Sequence, residues 1–149
     1  LQKRFGWIVV DLPRADAAVQ RHVLQVSTDL IVLCDMSLPG VRDAMRLQQV
    51  VQELNSEVKV HIAASGAADP RRAPVKVADL ERSLKRRVDV QIPHDDKNAA
   101  AAVNSGKPLP EVAPSSSVVR ALGPLVTTLI GDAAKGGSRS FFGKLLGRK

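Results

Sequence analysis

The chain has 149 residues, 44% hydrophobic and 25% charged, with 22 Lys+Arg against 15 Asp+Glu for a formal charge of +7. That composition suits one globular domain of ordinary size and excludes wholesale disorder. No apolar run approaches the roughly 18 residues of a membrane span, no basic-then-apolar leader opens the sequence, and the single cysteine, Cys34, excludes an internal disulfide or a multi-cysteine metal site, so these features point to the cytoplasm.

The first apolar run, Phe5 to Val10, is β-branched at its end and closes on Asp11-Leu12-Pro13, where proline stops strand pairing. Asp16 can cap a helix over Ala17 to about Val26, with Val19, Val23 and Val26 at helical spacing. Leu30 to Cys34 is a continuous apolar run, the pattern of a strand buried on both faces. Ser37-Leu38-Pro39-Gly40 turns into a long helix to about Leu54. Its apolar face comprises Val41, Ala44, Met45, Leu47, Val50, Val51 and Leu54, and Asn55 is its stop. A third strand is expected over Val58 to Ala63, followed by a Gly/Ala/Pro loop from Ser65 to Pro74 that carries Arg71 and Arg72.

Lys76 to Arg87 reads as a helix with Val77, Leu80 and Leu84 inward, and Val88 to Ile92 as a fourth strand ending at Pro93. Asp95 to Asn104 is a short Ala-rich helix halted by Ser105-Gly106, and Lys107 to Pro114 an irregular crossing with three prolines. Ser115 to about Ala133 forms a last long helix, bent at Gly123-Pro124. Alternating strands and helices at this spacing predict right-handed βαβ units, that is, an α/β fold with a parallel sheet and flanking helices. Four strands is thin for such a sheet, and a parallel strand opening the chain has no preceding element to cover it. The expected reading is the C-terminal part of a larger protein.

In an open α/β sheet, ligands bind beyond the carboxyl ends of the strands. Three segments belong there: Asp11 to Arg14, Cys34 to Ser37, and Ile92 to Asp95. An aspartate ending an apolar strand can hold Mg²⁺ or its water beside a terminal phosphate, and it is equally the residue that caps a following helix. His22, His61 and His94 have no metal-ligand spacing; His22 reads as a surface residue and His61 as a sheet residue. Cys34 reads as a structural thiol with no local base. Lys85-Arg86-Arg87 suits a helix C-terminus, and Asp95-Asp96 reads as the cap of the helix that follows.

Phe5 to Arg14 (FGWIVVDLPR), then Ser37 to Ala44 (SLPGVRDA), then Ile92 to Asp95 (IPHD), then Asn104 to Leu109 (NSGKPL) together resemble the MinD/ParA class of deviant-Walker P-loop NTPases. Val9 to Arg14 and Glu111 to Pro114 look most like its Flp/Tad pilus-assembly branch, the CpaE/TadZ-type proteins. The resemblance covers nearly the whole chain. It implies bound ATP and Mg²⁺ in the intact protein and a homodimer. It places Asp11 on the magnesium side, directly or through water, Leu12, Pro13 and Arg14 in the switch segment, and Pro93, His94 and Asp95 along the adenine. Two departures stand out. The Gly-rich phosphate loop is not among these residues, and Ala63 to Gly66 stands where the family often has Asn-Arg for base recognition. This chain alone is therefore expected not to hydrolyse ATP.

After Asp132 come Lys135, Arg139, Lys144, Arg148 and Lys149 and no acid, so the end supplies five of the seven excess charges and leaves the body at +2. Residues 1–134 read as the body, 135–139 as a linker around Gly136-Gly137-Ser138, and 140–149 as a separate tail. As a helix, the tail would place Phe141, Phe142, Leu145 and Leu146 on one face, with Lys144 opposite and Arg148 on the flank. So short a segment orders only against something apolar. Burying one apolar side chain is worth roughly 1.5–3 kcal/mol, and a basic residue near an anionic leaflet adds about 1 kcal/mol. One copy should bind reversibly, and two in a dimer far better. MinD-type proteins use such a tail as a dimerisation-gated membrane anchor. The bland alternative is a tail packed on its own domain or left loose.

These readings predict a protein at the inner face of the cell membrane that positions pilus or secretion machinery, with an anionic membrane, a second copy and that machinery as partners. Two alternatives stay open: a catalytically inactive scaffold of the same fold, and a ParA-like DNA-partition protein. Nucleic acid is disfavoured, because aromatics are only 3% and the body carries no basic stripe.

Overall fold

A computed structural model describes residues 4–12, 17–66 and 74–131. The elements are α1 (Ala17–Val26), β1 (Asp29–Asp35), α2 (Leu38–Leu54), β2 (Lys59–Ser65), α3 (Val77–Leu84), β3 (Val90–Ile92), α4 (Asp96–Ser105), α5 (Leu109–Val112) and α6 (Ser117–Ile130). The strands form one parallel sheet in the order β1-β2-β3, with Asp29 opposite Lys59, Asp35 opposite Ser65, and Ala63 opposite Val90.

The two faces of the sheet are covered differently. Because side chains alternate along a strand, Val32 and Cys34 of β1 and Ile62 and Ala64 of β2 point to one face. There they form the main core with Val41 and Ala44 of α2, Leu80 and Leu84 of α3, and Met36 and Val75. On the opposite face Ala63 and Val90 pack against Leu125 of α6. Ile62 and Leu80 are almost wholly enclosed, at 1% and 0% exposure. Fully burying each such side chain is worth roughly 1.5–3 kcal/mol. The expected inward positions of α3 hold: Leu80 and Leu84 are buried and Val77 packs on their cluster.

Local chemistry sets the boundaries. Ser37 caps α2, its hydroxyl accepting from Gly40 N–H, with Pro39 in the first turn. Asn55 ends the helix as expected, and its Nδ2 donates to the carbonyls of Leu24, Gln25 and Ser27, tying the end of α1 to the end of α2. Gly106 closes α4 in the left-handed region at φ 61°. Pro124 lies inside α6, which continues through it to Ile130; Thr127 and Thr128 hydroxyls donate to the carbonyls of Gly123 and Pro124.

Several expectations need correction. Phe5 to Val10 is not a strand: it pairs with nothing in the described sheet, which has three strands rather than four, and Val9 is 85% exposed. The fourth predicted strand begins at Val90 rather than Val88: the Asp89 N–H still bonds Ile62 O (2.9 Å), but side chains fill the ladder positions beside it. Asp89 accepts from Ile62 N–H (2.7 Å) and Arg86 donates to Val60 O (2.9 Å). Met45 and Val50, assigned to the apolar face of α2, are exposed, since the sheet covers only the side carrying Gly40, Val41, Ala44 and Val51. α3 stops at Leu84 because Lys85 turns left-handed at φ 53°. The crossing from Lys107 to Pro114 contains one helical turn, α5, with Pro110 in its first turn. Asp16, Arg71, Arg72 and the linker and tail from 135 to 149 lie outside the described residues. No helix among the described residues is long and apolar enough to cross a membrane.

Candidate functional site

The carboxyl ends of the three strands bring two of the predicted segments together. At the end of β1, the Asp35 carboxylate accepts from the Ser37 N–H (3.2 Å) and from the Ser37 hydroxyl. That hydroxyl in turn accepts from Gly40 N–H at 3.1 Å. A Cβ on Gly40 would stand 2.0 Å from Asp35 Oδ1 and 2.7 Å from its carbonyl oxygen, so only glycine lets α2 close on the strand end. The N-terminus of α2, a natural seat for an anion, is thus occupied by the chain's own carboxylate. Cys34 just before it is buried. Burial pushes its thiol up, with the charges of Asp35 and Asp43 adding to the effect, so it stays protonated and inert. This agrees with its reading as a structural thiol.

At the end of β2, Gly66 adopts φ +72° and donates its N–H to Ile92 O at 2.8 Å, continuing the ladder with β3. The His94 ring lies directly on Gly66: a Cβ there would sit 2.5 Å from His94 Nε2. His94 Nδ1 is 4.0 Å from Asp96 Oδ1. Pro93 leads the chain off β3 to this ring. Asp95 is the cap of α4, accepting from Asn98 N–H at 3.4 Å, with both its oxygens 2.9 Å from Asn98 Nδ2. His94 therefore stands beside Gly66 at the end of β2, with Pro93 and Asp95 flanking it in the chain. In Asp95, however, the capping role takes up the carboxylate. Asp11 is exposed in the unpaired segment 4–12, and Pro13 lies outside the described residues.

The amino ends of the strands hold a second polar constellation that the sequence did not announce. His61, buried on β2, faces Asp29 at the start of β1, with Nε2 3.0 Å from Oδ1. The hydrogen bond from His61 holds the Asp29 carboxyl below its usual range, helped by Thr28 and by the nearby charges of His61 and Lys59, against a smaller desolvation effect. Gly40, Gly66 and this pair are the residues sequence reasoning missed. A glycine in the first turn of a helix and another closing a strand were the available signals, since neither place favours glycine by propensity.

No family model matches the chain, and no curated protein matches it. Among solved structures it is similar to a ParA family ATPase from Chlorobium tepidum TLS, with a TM-score of 0.60 at 22% identity over 72% of this chain. The fold is ParA-like. The chain spans 43% of the length of that ATPase, and the likeness is one of architecture: a parallel sheet with helices on both faces, as in P-loop NTPases. Asp35 holds the Ser37 cap of α2, Asp95 caps α4, and among the described residues no group of three or more His, Cys, Asp or Glu side chains could hold a metal ion.

Proposed function

We propose that this chain is part of a membrane-associated MinD/ParA-like localisation protein of the CpaE/TadZ type, serving Flp/Tad pilus assembly or secretion. The observation that carries the reading is the ParA-like parallel sheet with His94 and Pro93 presented at its carboxyl edge. The FGWIVVDLPR segment and the basic, doubly phenylalanine-bearing tail support the finer assignment. In the intact protein ATP and Mg²⁺ would drive dimerisation, with Asp11 toward the metal, Leu12 to Arg14 as the switch segment after it, and Pro93-His94-Asp95 toward the base. Bound ATP would supply the free energy that separates monomer from dimer. His94 would offer a flat ring beside Gly66, and Asp95 would hold that loop on α4. The tail would convert dimerisation into residence at the inner face of the cell membrane, through Phe141, Phe142, Leu145 and Leu146 in the lipid and Lys144 and Arg148 over anionic headgroups.

A scaffold without catalysis is the second reading, favoured by one observation: the carboxylates Asp35 and Asp95 are already engaged at helix N-termini, Asp35 on the Ser37 cap of α2 and Asp95 as the cap of α4. Both readings share the membrane foot. Sedimentation with anionic liposomes should retain the full chain and release a version ending at Ala134; equal binding by the two overturns the anchor. Titration of ATP into the intact protein, against its Asp11→Ala variant, separates the two. Binding weakened by the substitution supports the ATP-dependent reading, and no affinity in either supports the scaffold.

A further inference from the structure

Helices α2 and α3 pack side by side on the main core, and a groove of about 340 Å³ lies where the later turns of α2 meet the end of α3. Because α2 runs back from the end of β1 to the start of β2, this groove sits toward the amino ends of the strands, away from His94. Its walls include Met45, Gln48 and Gln52 of α2 and Ser83, Leu84 and Lys85. An adjoining hollow of about 270 Å³ shares Met45 and Gln49 with the groove and adds Arg42 and Arg46, so the two make one trough.

Charge, hydrogen bonding and backbone strain each mark this trough. Arg42, Arg46 and Lys85 have no carboxylate partner among the described residues. The one acid in the walls, Glu53, already accepts from Gln49 Nε2 at 3.3 Å. Gln48 donates through Nε2 to Leu84 O at 3.3 Å, which fixes the orientation of its amide, and its Oε1 is left enclosed with no donor among the described residues. Buried acceptors without a donor are few in native proteins. Lys85 holds φ 53°, the only positive φ outside glycine among the described residues. A lysine there costs stability that a glycine would not, and residues held against such a cost gather at functional positions.

We propose that the trough docks an extended, acidic segment of a partner protein, with its carboxylates on Arg46 and Lys85 and one apolar side chain on Met45, which is 45% exposed. An extended segment carries spare N–H groups that Gln48 can meet by turning outward, whereas the interior of a helix has none. The chain's own end is the poorer occupant, because residues after Asp132 carry five basic side chains and no acid. A nucleic acid is poorer too: Glu53 would repel its phosphates, and no aromatic side chain lines the trough to stack a base. The proposal depends on neither the nucleotide nor the membrane reading.

Titration of the isotope-labelled full chain with the peptide Asp-Glu-Leu-Glu-Asp, followed through amide chemical shifts, tests this. Shifts should concentrate at 45–53 and 83–85, and affinity should fall severalfold as salt rises from about 0.05 to about 0.5 M. The uncharged counterpart Asn-Gln-Leu-Gln-Asn should bind at least about tenfold more weakly. Lys85→Gly should raise the urea midpoint yet weaken the acidic peptide by about twofold to fivefold; a lysine with a purely structural role would not separate the two readouts. Arg46→Glu, at an exposed position, should weaken it further without unfolding the chain. Absence of shifts at millimolar peptide overturns the proposal, as does binding unchanged by both substitutions. Binding lost when the chain ends at Ala134 but unaffected by Lys85→Gly would assign the peptide to the basic end instead. A single-stranded oligonucleotide shifting the same amides at lower concentration, or the same shifts appearing on concentrating the chain alone with a rise in sedimenting mass, would name a different occupant and equally overturn it.

Discussion

Gly66 sets the geometry of the strand-end site at the scale of a single residue. Its φ of +72° lies in the left-handed region, which costs an L-residue roughly 1–2 kcal/mol. A methyl there would also strike the imidazole of His94, 2.5 Å away at Nε2. Both effects act in the folded state, so Gly66→Ala should lower stability by about 1–3 kcal/mol in urea unfolding. The ring clash can be removed separately. In a Gly66→Ala, His94→Ala double variant, part of the loss should return, leaving mainly the backbone cost. A Gly66→Ala protein as stable as the parent would mean that neither the ring contact nor the left-handed backbone constrains this position. Gly40 is constrained by a different contact. There the obstacle includes the backbone carbonyl of Asp35 at 2.7 Å, which cannot swing away as a side chain can.

Helix α3 and its exit show where element-scale rules hold and where they stop. Lys85, the residue after α3, is the only non-glycine with positive φ among the described residues, and its N–H still bonds Glu81 O. This is the place where glycine is ordinarily found. Lys85→Gly should therefore raise stability by about 0.5–1 kcal/mol, read as a higher urea midpoint at unchanged m-value. An unchanged or lower midpoint would mean that the lysine side chain contributes more than its backbone costs. The order of α1 to α4 and the two long strands were legible in the sequence, because each combines a clear period with a cap or stop: Ser37 and Asn55 around α2, Asp95 and Gly106 around α4. β3 was legible only in part, since Asp89 and Arg86 satisfy Ile62 N–H and Val60 O in place of strand backbone. Side-chain substitution of that kind leaves no periodic trace. Phe5 to Val10 failed as a strand for a different reason: its composition is right, but pairing needs a neighbour that the described sheet does not supply. At the candidate site, the grouping of Pro93, His94 and Asp95 followed from their place after a strand. The contact with Gly66 depends on a sequence-distant turn and was not legible.

Across the whole molecule the two ends of the sheet carry different chemistry, and this gives the protein a defined response to acid. The carboxyl ends hold helix caps, whereas the amino ends hold the Asp29–His61 pair that joins the starts of β1 and β2. The His61 hydrogen bond holds Asp29 below its ordinary value of 3.8, so the unfolded chain takes up a proton there at a higher pH than the folded one. Stability from this pair is present in full above the unfolded value and declines as pH falls through the folded one. Urea midpoints measured from pH 7 to pH 2.5 should therefore fall on the acid side. Asp29→Asn should be less stable than the parent at neutral pH and should converge on it at the lowest pH, because the parent's carboxyl is then protonated and has lost the same charge. If the gap between the two proteins stayed constant down to pH 2.5, the pair would be acting through packing rather than charge, and the amino end of the sheet would owe its order to the burial of His61 alone.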